Sequence, residues 1–397
     1  MNVVPLRSFS AEARPAADRA IARVAVFDDM AEAEPYWREL ERSGLATPYQ
    51  QFDFLKLWQT HAGTAAGMTP FIVVGFNAAG APLFVWPLGC RRRGSLRVVE
   101  FLGGKHANSN MGLWRRDVAA TVSAADLRAV LGHLASRADL LAFVNQPLTW
   151  VGATNPFALL PHQTSPDFGI SGSLMPDFEA LLRVRTSANT RKKLRKKERT
   201  LAEFGTVRFE RATRPEHIRR VLDAFFKQKS ARMRVLGLPD VFAAPDIRRF
   251  VEACASAYLP NGEPVIELFA LWVDDIIVAT LGGIAGHNRF CAMFNSMTQG
   301  RHAAASPGEL MLVSVTRHCC ERGFETLDLG VGDSHYKGMF GSDAEPLFDS
   351  YLPLSPAGRL LGFAYRMAGV AKRTIKQRPL LWSMVGLLRR LRARFSV

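Results

Sequence analysis

The same order of secondary-structure elements can be read twice along this chain, and the repeat limits the possible folds more than any other feature. The spacing of apolar residues predicts a strand, two helices, a three-stranded meander, a helix and a strand. These elements run from Ala22 to Val144 in the first half and from Thr206 to Val331 in the second. We therefore expect an α/β protein with an internal duplication, or else two unrelated α/β domains that share common motifs.

The second half contains the residues that point most clearly to function. Pro307 and Gly308 open a predicted helix after an irregular loop, and Ser306 is placed to cap it. A helix start of this kind presents N–H groups and the positive end of the helix dipole, which suits a pyrophosphate. The pattern alone is equally typical of an ordinary strand–helix–strand unit.

Three motifs in this region resemble those of a known family. They are Ser306-Pro307-Gly308, a strand that ends in the sequence Asp-Leu-Gly-Val-Gly-Asp from Asp328, and the sequence Tyr-Lys-Gly-Met-Phe-Gly from Tyr336. The chain resembles the cellulose-biosynthesis-type acetyltransferases, which are GNAT-fold acyltransferases related to the tandem-GNAT Fem aminoacyl transferases. The sharp resemblance covers about Glu267 to Leu352. It departs from the usual GNAT phosphate loop, because Gln299-Gly-Arg is followed by His-Ala-Ala-Ala.

The resemblance implies two tandem GNAT-like domains, each a mixed, mostly antiparallel central sheet flanked by helices. We place the N-terminal domain at residues 19–170 and the C-terminal domain, which holds the coenzyme site, at residues 171–354. A flexible N-terminal tail at 1–18 and a basic amphipathic C-terminal tail at 355–397 complete the predicted organisation.

The resemblance also implies an enzyme that transfers an acyl group, here taken as acetyl, from coenzyme A to an amine or hydroxyl. The acceptor that the family suggests is a sugar, a polysaccharide or another cell-envelope precursor. The coenzyme is expected on a splayed strand and at the helix start that follows it. The residues expected to bind acetyl-CoA are Phe294, Asn295, Ser296, Met297, Ser306, Pro307, Gly308, Glu309, Leu310 and Lys337.

Acid–base chemistry is assigned to residues near the strand that bears Asp328. Tyr336 is the expected acid for the leaving thiolate, and its alternative is a half-buried ring that packs on Phe340. Asp328 is the first candidate for the base, since an aspartate in a buried strand needs a partner or a task. Asp333 and His287 are further candidates.

Two other functions stay open at this point. A Fem-like enzyme would use aminoacyl-tRNA instead of acyl-CoA. A duplicated fold without catalysis would be a binding module of an envelope-synthesis complex. The glycine-rich loop Gly103–Asn110 of the first half can approach a ligand closely, yet it lacks the helix start of a phosphate cradle.

The net charge of +15 is concentrated in two segments. Residues 355–397 carry ten Lys or Arg and no acidic residue, together with Trp382 and several leucines. This composition fits a helix on an anionic membrane surface, and a packed terminal helix is the alternative. Residues 183–199 carry nine basic side chains beside Glu198. Within it, the stretch from Arg191 to Arg199 looks like an exposed helix, with Ser187 and Asn189 ahead of it as possible caps. The basic run is a solvated face or a contact for an anionic substrate or nucleic acid, of which nucleic acid is the less favoured.

The remaining signals concern the compartment. The five cysteines form no disulfide framework and show no spacing for a metal, which favours small core residues in a reducing environment. The first twenty residues lack the apolar run of a signal peptide, and no segment offers about eighteen uninterrupted apolar residues. We expect a cytoplasmic protein, with a peripheral position on the inner face of the cytoplasmic membrane as an option.

Overall fold

The computed structural model describes residues 18, 20–332 and 338–378. Its strands are β1 Arg23–Phe27, β2 Thr69–Phe76, β3 Pro82–Arg93, β4 Leu96–Phe101, β5 Leu113–Trp114, β6 Leu140–Pro147, β7 Thr149–Trp150, β8 Ala153–Thr154, β9 Gln163–Ser173, β10 Val207–Arg211, β11 Glu267–Val273, β12 Ile276–Gly286, β13 Arg289–Met297, β14 Thr326–Val331 and β15 Asp343–Pro353. Its α-helices are α1 Met30–Ser43, α2 Phe52–Trp58, α3 Arg116–Ala119, α4 Ala124–Leu134, α5 Phe178–Arg185, α6 Ala188–Ala202, α7 Pro215–Leu236, α8 Pro245–Ser256, α9 Pro307–Glu321 and α10 Pro356–Gln377.

One mixed sheet runs through the whole structure. From each outer edge towards the centre, the strands of the two halves follow in the same order. The order is β1-β2-β3-β4-β6-β15-β9-β14-β13-β12-β11-β10, and β5 pairs with β3 beside it. In the first half, the ladders from β1 to β4 are antiparallel and β4–β6 is parallel. The second half repeats this, with antiparallel ladders from β10 to β13 and a parallel β13–β14 ladder. The predicted fold class and the predicted repeat of elements are confirmed.

The two halves exchange strands at the centre of the sheet. Strand β9 follows the first half in sequence but pairs with β14 of the second. Strand β15 follows the second half but pairs with β6 of the first, and β9 and β15 pair with each other. The boundary predicted between residues 170 and 171 therefore falls inside β9.

A shared backbone irregularity supports the duplication independently of strand order. The β6–β15 ladder shifts register between Phe348 and Ser350, and the β14–β9 ladder shifts between Asp328 and Val331. At each shift one residue has a positive φ, 55° at Asn145 and 76° at Gly330. A register shift with a positive-φ residue therefore occurs at matching places in the two halves.

Packing joins the halves into a common core. The ring of Phe54 on α2 meets that of Phe250 on α8 edge-on, with centroids 5.4 Å apart. The Gln51 amide donates to the carbonyl oxygen of Ala285 at 2.9 Å. All five cysteines are free thiols and four of them are buried, which is the core role expected for them. Among the described residues, no helix is long and apolar enough to cross a bilayer.

The exposed basic helix predicted over Arg191–Arg199 is confirmed as part of α6. It is capped by Ser187, whose hydroxyl accepts from the Thr190 N–H at 3.1 Å, and Arg183 and Arg185 of the same basic run lie on the separate helix α5. The basic C-terminal tail begins with α10, which is capped by Ser355. The rest of the C-terminal tail, residues 379–397, lies outside the described residues. Residues 1–17 of the predicted N-terminal tail lie outside them as well.

A buried ion cluster fastens the exchanged strand β15 to the second half. One guanidinium nitrogen of Arg289 donates to Asp328 at 2.8 Å and to Glu345 at 2.6 Å. The Arg289 guanidinium also lies over the ring of Trp150, 4.2 Å from its centroid. Its side chain is only 10% exposed, so the charge is largely removed from water. Breaking such a pair costs much more than breaking a surface pair.

We expect Arg289→Met to lower the free energy of unfolding by about 3–5 kcal/mol, because the buried Asp328 carboxylate and the half-buried Glu345 carboxylate would lose their cation. Arg317→Met is the matched control. Arg317 also pairs with a carboxylate, that of Glu179, and lies over the ring of Phe178, but its side chain is 48% exposed. Its loss should cost less than about 1 kcal/mol in the same chemical denaturation experiment. Equal losses for the two variants would contradict the role assigned to Arg289.

Candidate functional site

Strands β13 and β14 diverge after a short parallel ladder. They pair only from Arg289 with Thr326 to Cys291 with Asp328, although β13 continues to Met297. On its other side, β13 has a bulge opposite Gly282 and Gly283. A bulge bends a strand and raises its twist, so it helps to carry β13 away from β14. The splayed strand predicted from the sequence is therefore present geometrically.

A cavity of about 290 Å³ fills the gap between the two strands. It is lined by residues of β13, α9 and β14, and by side chains from α7 and from the first half. Those that the sequence placed at the coenzyme site are Phe294, Asn295, Ser296 and Gly308; the others used below are Asn108, Lys229, Arg232, Ala292 and Gly330. The structure thus brings together the predicted strand and the predicted helix start. We call this cavity the β13–β14 cleft.

The other predicted coenzyme residues surround the cleft without lining it. Leu310 is buried in the core beneath α9. Glu309 forms an ion pair with Lys197 of the basic helix α6. Pro307 occupies the first turn of α9 and is buried. Met297 is placed so that its sulfur would lie 2.9 Å from a Cβ added at Gly308. Two further predicted residues, Tyr336 and Lys337, lie outside the described residues.

Ser306 does not cap α9 through its side chain, contrary to expectation. Its backbone is left-handed, with φ 52° and ψ 57°, and its hydroxyl accepts no capping hydrogen bond. A capping serine ordinarily has an extended backbone, which aims the hydroxyl back at the second or third amide. Instead, the Ser306 carbonyl accepts from the N–H groups of Glu309 at 3.0 Å and Leu310 at 3.3 Å. Gly308, without a side chain, therefore forms the surface of α9 at the cleft.

Two basic side chains of the cleft were missed from the sequence. Lys229 and Arg232 lie on α7, and the Lys229 ammonium donates to the Asn295 carbonyl at 3.4 Å. Burial lowers the pKa of Lys229, and the nearby Asp240 carboxylate opposes that shift. The available signal was periodicity. Lys229 and Arg232 follow the buried Phe225 by four and seven residues, so they continue the face of α7 that packs on the sheet.

A hydroxyl and amide network holds β13 behind the cleft. The hydroxyls of Thr280 and Ser296 are 2.7 Å apart, and Ser296 donates to the Gln228 amide oxygen at 2.7 Å. Gln228 in turn donates to the carbonyl oxygen of Ile277 at 2.8 Å. Because Ser296 and Thr280 are buried, this satisfied network fixes the cleft wall to helix α7.

The first half contributes to the same cleft through the loop Gly103–Asn110. Asn108 donates to the Tyr49 hydroxyl at 3.0 Å and reaches the Ala292 carbonyl at 3.5 Å. Burial raises the pKa of Tyr49, and the charge of Asp328 adds to the effect. A Cβ added at Gly330 would lie 2.9 Å from the Asn108 amide nitrogen. The close approach of Asn108, together with the positive φ, explains the glycine at this position.

The equivalent gap of the first half is closed by the chain itself. Strands β4 and β6 also form a short parallel ladder, which has two residue pairs where the β13–β14 ladder has three. Here, however, Asn110 donates from its side chain to the Val144 carbonyl and from its backbone to the Asn145 carbonyl, both at 3.0 Å. The rings of Phe101 and Phe143 pack 4.7 Å apart beside it. The predicted difference between the halves is thus a difference between a filled gap and an open one.

The two candidate bases that the structure describes, Asp328 and His287, do not line the cleft. Both Asp328 oxygens have protein donors, since Oδ2 accepts from Arg289 and Oδ1 from the Gly330 N–H at 2.7 Å. This arrangement favours a positioning role in which Asp328 shapes the cleft wall. His287 borders a different cavity of about 440 Å³ between the halves, and burial lowers its pKa. Asp333 lies outside the described residues.

Within the described ranges, no group of three or more His, Cys, Asp or Glu side chains is placed to hold a metal ion. The cleft itself offers its backbone, the start of α9 and the two cations Lys229 and Arg232. A bent strand edge can accept an extended ligand, and the start of α9 with Lys229 and Arg232 favours negative charge. The cleft suits a ligand with an amide-bearing arm and a phosphorylated end.

Residues 188–338 match the model of the acetyltransferase (GNAT) domain family, and this stretch contains both strands of the cleft. This match is to the GNAT domain in general, a broader class than the cellulose-biosynthesis-type acetyltransferases that the sequence motifs resemble. No curated protein sequence matches the chain. The crystal structure of FemX is 12% identical, with a TM-score of 0.59, and the match covers 86% of this chain and 100% of FemX.

A conserved protein of unknown function from Bacteroides thetaiotaomicron VPI-5482 has a TM-score of 0.51 at 12% identity, covering 83% of this chain and all of its own. Identities this low establish similarity of fold alone. Residues 188–338 are thus similar to a GNAT acetyltransferase domain, and the fold of the chain is similar to that of FemX.

Proposed function

We propose that the protein is an acyl-CoA-dependent N- or O-acyltransferase that binds acetyl-CoA in the β13–β14 cleft. The observation that carries the proposal is the end of the β13–β14 ladder at Cys291 and Asp328, with the start of α9 at the same opening. We further propose a sugar, polysaccharide or other cell-envelope precursor as the acceptor, as in the cellulose-biosynthesis-type acetyltransferases that the motifs resemble.

Each part of the coenzyme has a counterpart in this cleft. The pantetheine arm would extend along β13 at Phe294 to Ser296, where β13 no longer pairs with β14. The pyrophosphate would lie at Gly308, near the positive end of the α9 dipole. Lys229 and Arg232 would supply positive charge from α7. Burial disfavours the Lys229 cation in the protein alone, so an anionic ligand would relieve an existing cost.

The reaction requires little further chemistry. The acceptor amine or hydroxyl attacks the thioester carbonyl and loses a proton, the carbon–sulfur bond breaks, and the thiolate of coenzyme A takes up a proton. We assign protonation of the thiolate to Tyr336. We assign to Asp328 the role of holding Arg289 and the Gly330 N–H in place. Because both of its oxygens already accept from these donors, the proton of the acceptor would pass to water or to a group outside the described residues.

The coenzyme site is tested by filling it. Gly308→Phe should reduce coenzyme A binding at least 10-fold in isothermal titration, because the new ring would project from α9 where the cleft begins. Gly132→Phe on helix α4 is the control, since nothing lies within 4 Å of a Cβ added there. Undiminished binding by Gly308→Phe would exclude this cleft, and absence of binding by the wild type would exclude coenzyme A.

The variant Lys229→Met tests whether Lys229 binds the coenzyme or only supports the fold. Coenzyme A affinity should fall roughly 10-fold, the loss expected for a hydrogen bond to a charged group. The free energy of unfolding should rise at pH 7, because burial lowers the pKa of Lys229 and the folded state therefore bears its charge at a cost. As pH rises the wild type loses that proton and the two stabilities converge.

Lys227→Met is the control for this experiment, because Lys227 lies two residues away on the same helix and is exposed. Titration calorimetry and thermal denaturation across pH 7 to about 10 provide both measurements. A variant with weaker binding and lower stability would instead indicate a merely structural lysine.

Tyr336→Phe tests the proposed acid. It should lower kcat roughly 10- to 1000-fold, which is the contribution typical of general acid catalysis, with little change in coenzyme affinity. Tyr258→Phe is the control, since Tyr258 is exposed and lies on the connection after α8. Unchanged turnover would leave water as the proton source.

A second candidate function is favoured by the position of the basic helix α6. Lys197 of α6 pairs with Glu309 of α9, and exposed Lys192, Lys193 and Lys196 lie on the same helix. A larger polyanion such as aminoacyl-tRNA could therefore reach the cleft opening. Transfer from aminoacyl-tRNA without transfer from acetyl-CoA would establish the Fem-like alternative. Coenzyme binding without turnover of any acceptor would favour a non-catalytic binding module.

A further inference from the structure

Helix α10 presents an exposed apolar stripe. Leu360, Phe363 and Met367 are 77%, 65% and 48% exposed. Their spacing of three and four residues places them on one face of the helix. Three neighbouring large apolar side chains on one exposed face differ from the isolated exposed residues that are normal on protein surfaces.

The opposite face of α10 is fixed to the central strands, so the stripe is held outward. A Cβ added at Gly358 would clash with the Asp139 carbonyl, and one added at Gly369 would lie 2.6 Å from the Gln163 amide nitrogen. These glycines allow α10 to lie close on the sheet. Lys372 donates to Asp167 at 3.0 Å, and Lys376 donates to the same carboxylate. The orientation of α10 is therefore set by its inner face.

A row of arginines accompanies the stripe. Arg359, Arg366 and Arg373 are spaced by seven residues, which places them along one side of the apolar face. Arg359 and Arg366 are exposed, whereas Arg373 is half-buried and donates to the Thr164 carbonyl at 3.4 Å. Residues 355–397 contain ten basic residues and no acidic one. An anionic partner therefore complements the charge beside the stripe.

We propose that α10 is an interfacial helix that seats the protein on an anionic lipid bilayer. Leu360, Phe363 and Met367 would enter the boundary between headgroups and acyl chains, and the arginine row would lie among the headgroups. Charge decides against a second copy of the chain as the occupant, because two such helices face to face would bring like charges together. The proposal is independent of acyl transfer, since it uses no residue of the β13–β14 cleft.

The test is flotation of the full-length protein with vesicles of phosphatidylcholine containing roughly 30% phosphatidylglycerol, compared with phosphatidylcholine alone. Binding is expected to the anionic vesicles only, and it should weaken at high salt because screening reduces the attraction. The triple variant Leu360→Gln, Phe363→Gln, Met367→Gln should bind at least 10-fold more weakly. The pair Arg359→Gln, Arg366→Gln should lose roughly 25-fold, about fivefold for each charge.

Matched controls distinguish vesicle binding through this face of α10 from nonspecific adsorption. Val184→Gln and Val235→Gln remove exposed apolar side chains from α5 and α7, and Arg92→Gln with Arg93→Gln removes two exposed charges from β3. These controls should bind as the wild type does. All of the substituted residues lie on helices, except those of the control on β3. Thermal denaturation and coenzyme A titration of each variant verify that it is folded.

Three results would overturn the proposal. One is the absence of flotation at low salt, and another is equal flotation of the triple variant and the wild type. The third is concentration-dependent dimerisation in sedimentation that the triple variant abolishes, which would identify a second copy as the partner of this face. Coenzyme A binding is measured on the same preparations, so failure of the membrane contact is distinguishable from failure of the cleft.

Discussion

The buried guanidinium of Arg289 is the group on which the assembly of the two halves depends. It joins Asp328 of β14 to Glu345 of β15, the strand that leaves the second half to complete the first. A buried arginine without partners would cost several kcal/mol, so the cluster makes correct placement of β15 a condition of folding. Because Asp328 also accepts from the Gly330 N–H, the same cluster shapes one wall of the cleft.

Within the described residues, the gap beside the short parallel ladder is open in the second half and closed in the first. Both halves contain a short parallel ladder and a positive-φ residue at the strand irregularity beyond it. In the second half this residue is Gly330, which leaves room for Asn108 of the first half. In the first half it is Asn145, whose carbonyl accepts from the Asn110 backbone. One gap is thus open as the β13–β14 cleft, and the loop that closes the other gap also supplies a side chain to the open one.

Local sequence patterns predicted most of the helices and strands of the two repeats, whereas the pairing of distant strands could not be predicted from them. Apolar periodicity predicts the buried β14 and the helix from Pro307 because each pattern is contained within one element. The central strands β9 and β15 were not predicted, because their partners lie in the opposite half. The Ser306 cap was wrong because the preceding loop imposes a left-handed backbone there. Lys229 was missed because only the tertiary fold brings α7 to the cleft.

The arrangement couples stability and function within one continuous sheet. The cleft needs Asn108 from the first half, a splayed strand from the second and a central cluster that holds the exchanged strands. Neither half is therefore complete as a site, even though each repeats the whole topology. Helix α10 packs on the same exchanged strands, through Gln163 and Asp167 of β9. A surface that docks through α10 would thus be joined to the cleft by β9 and β14, which are hydrogen-bonded neighbours.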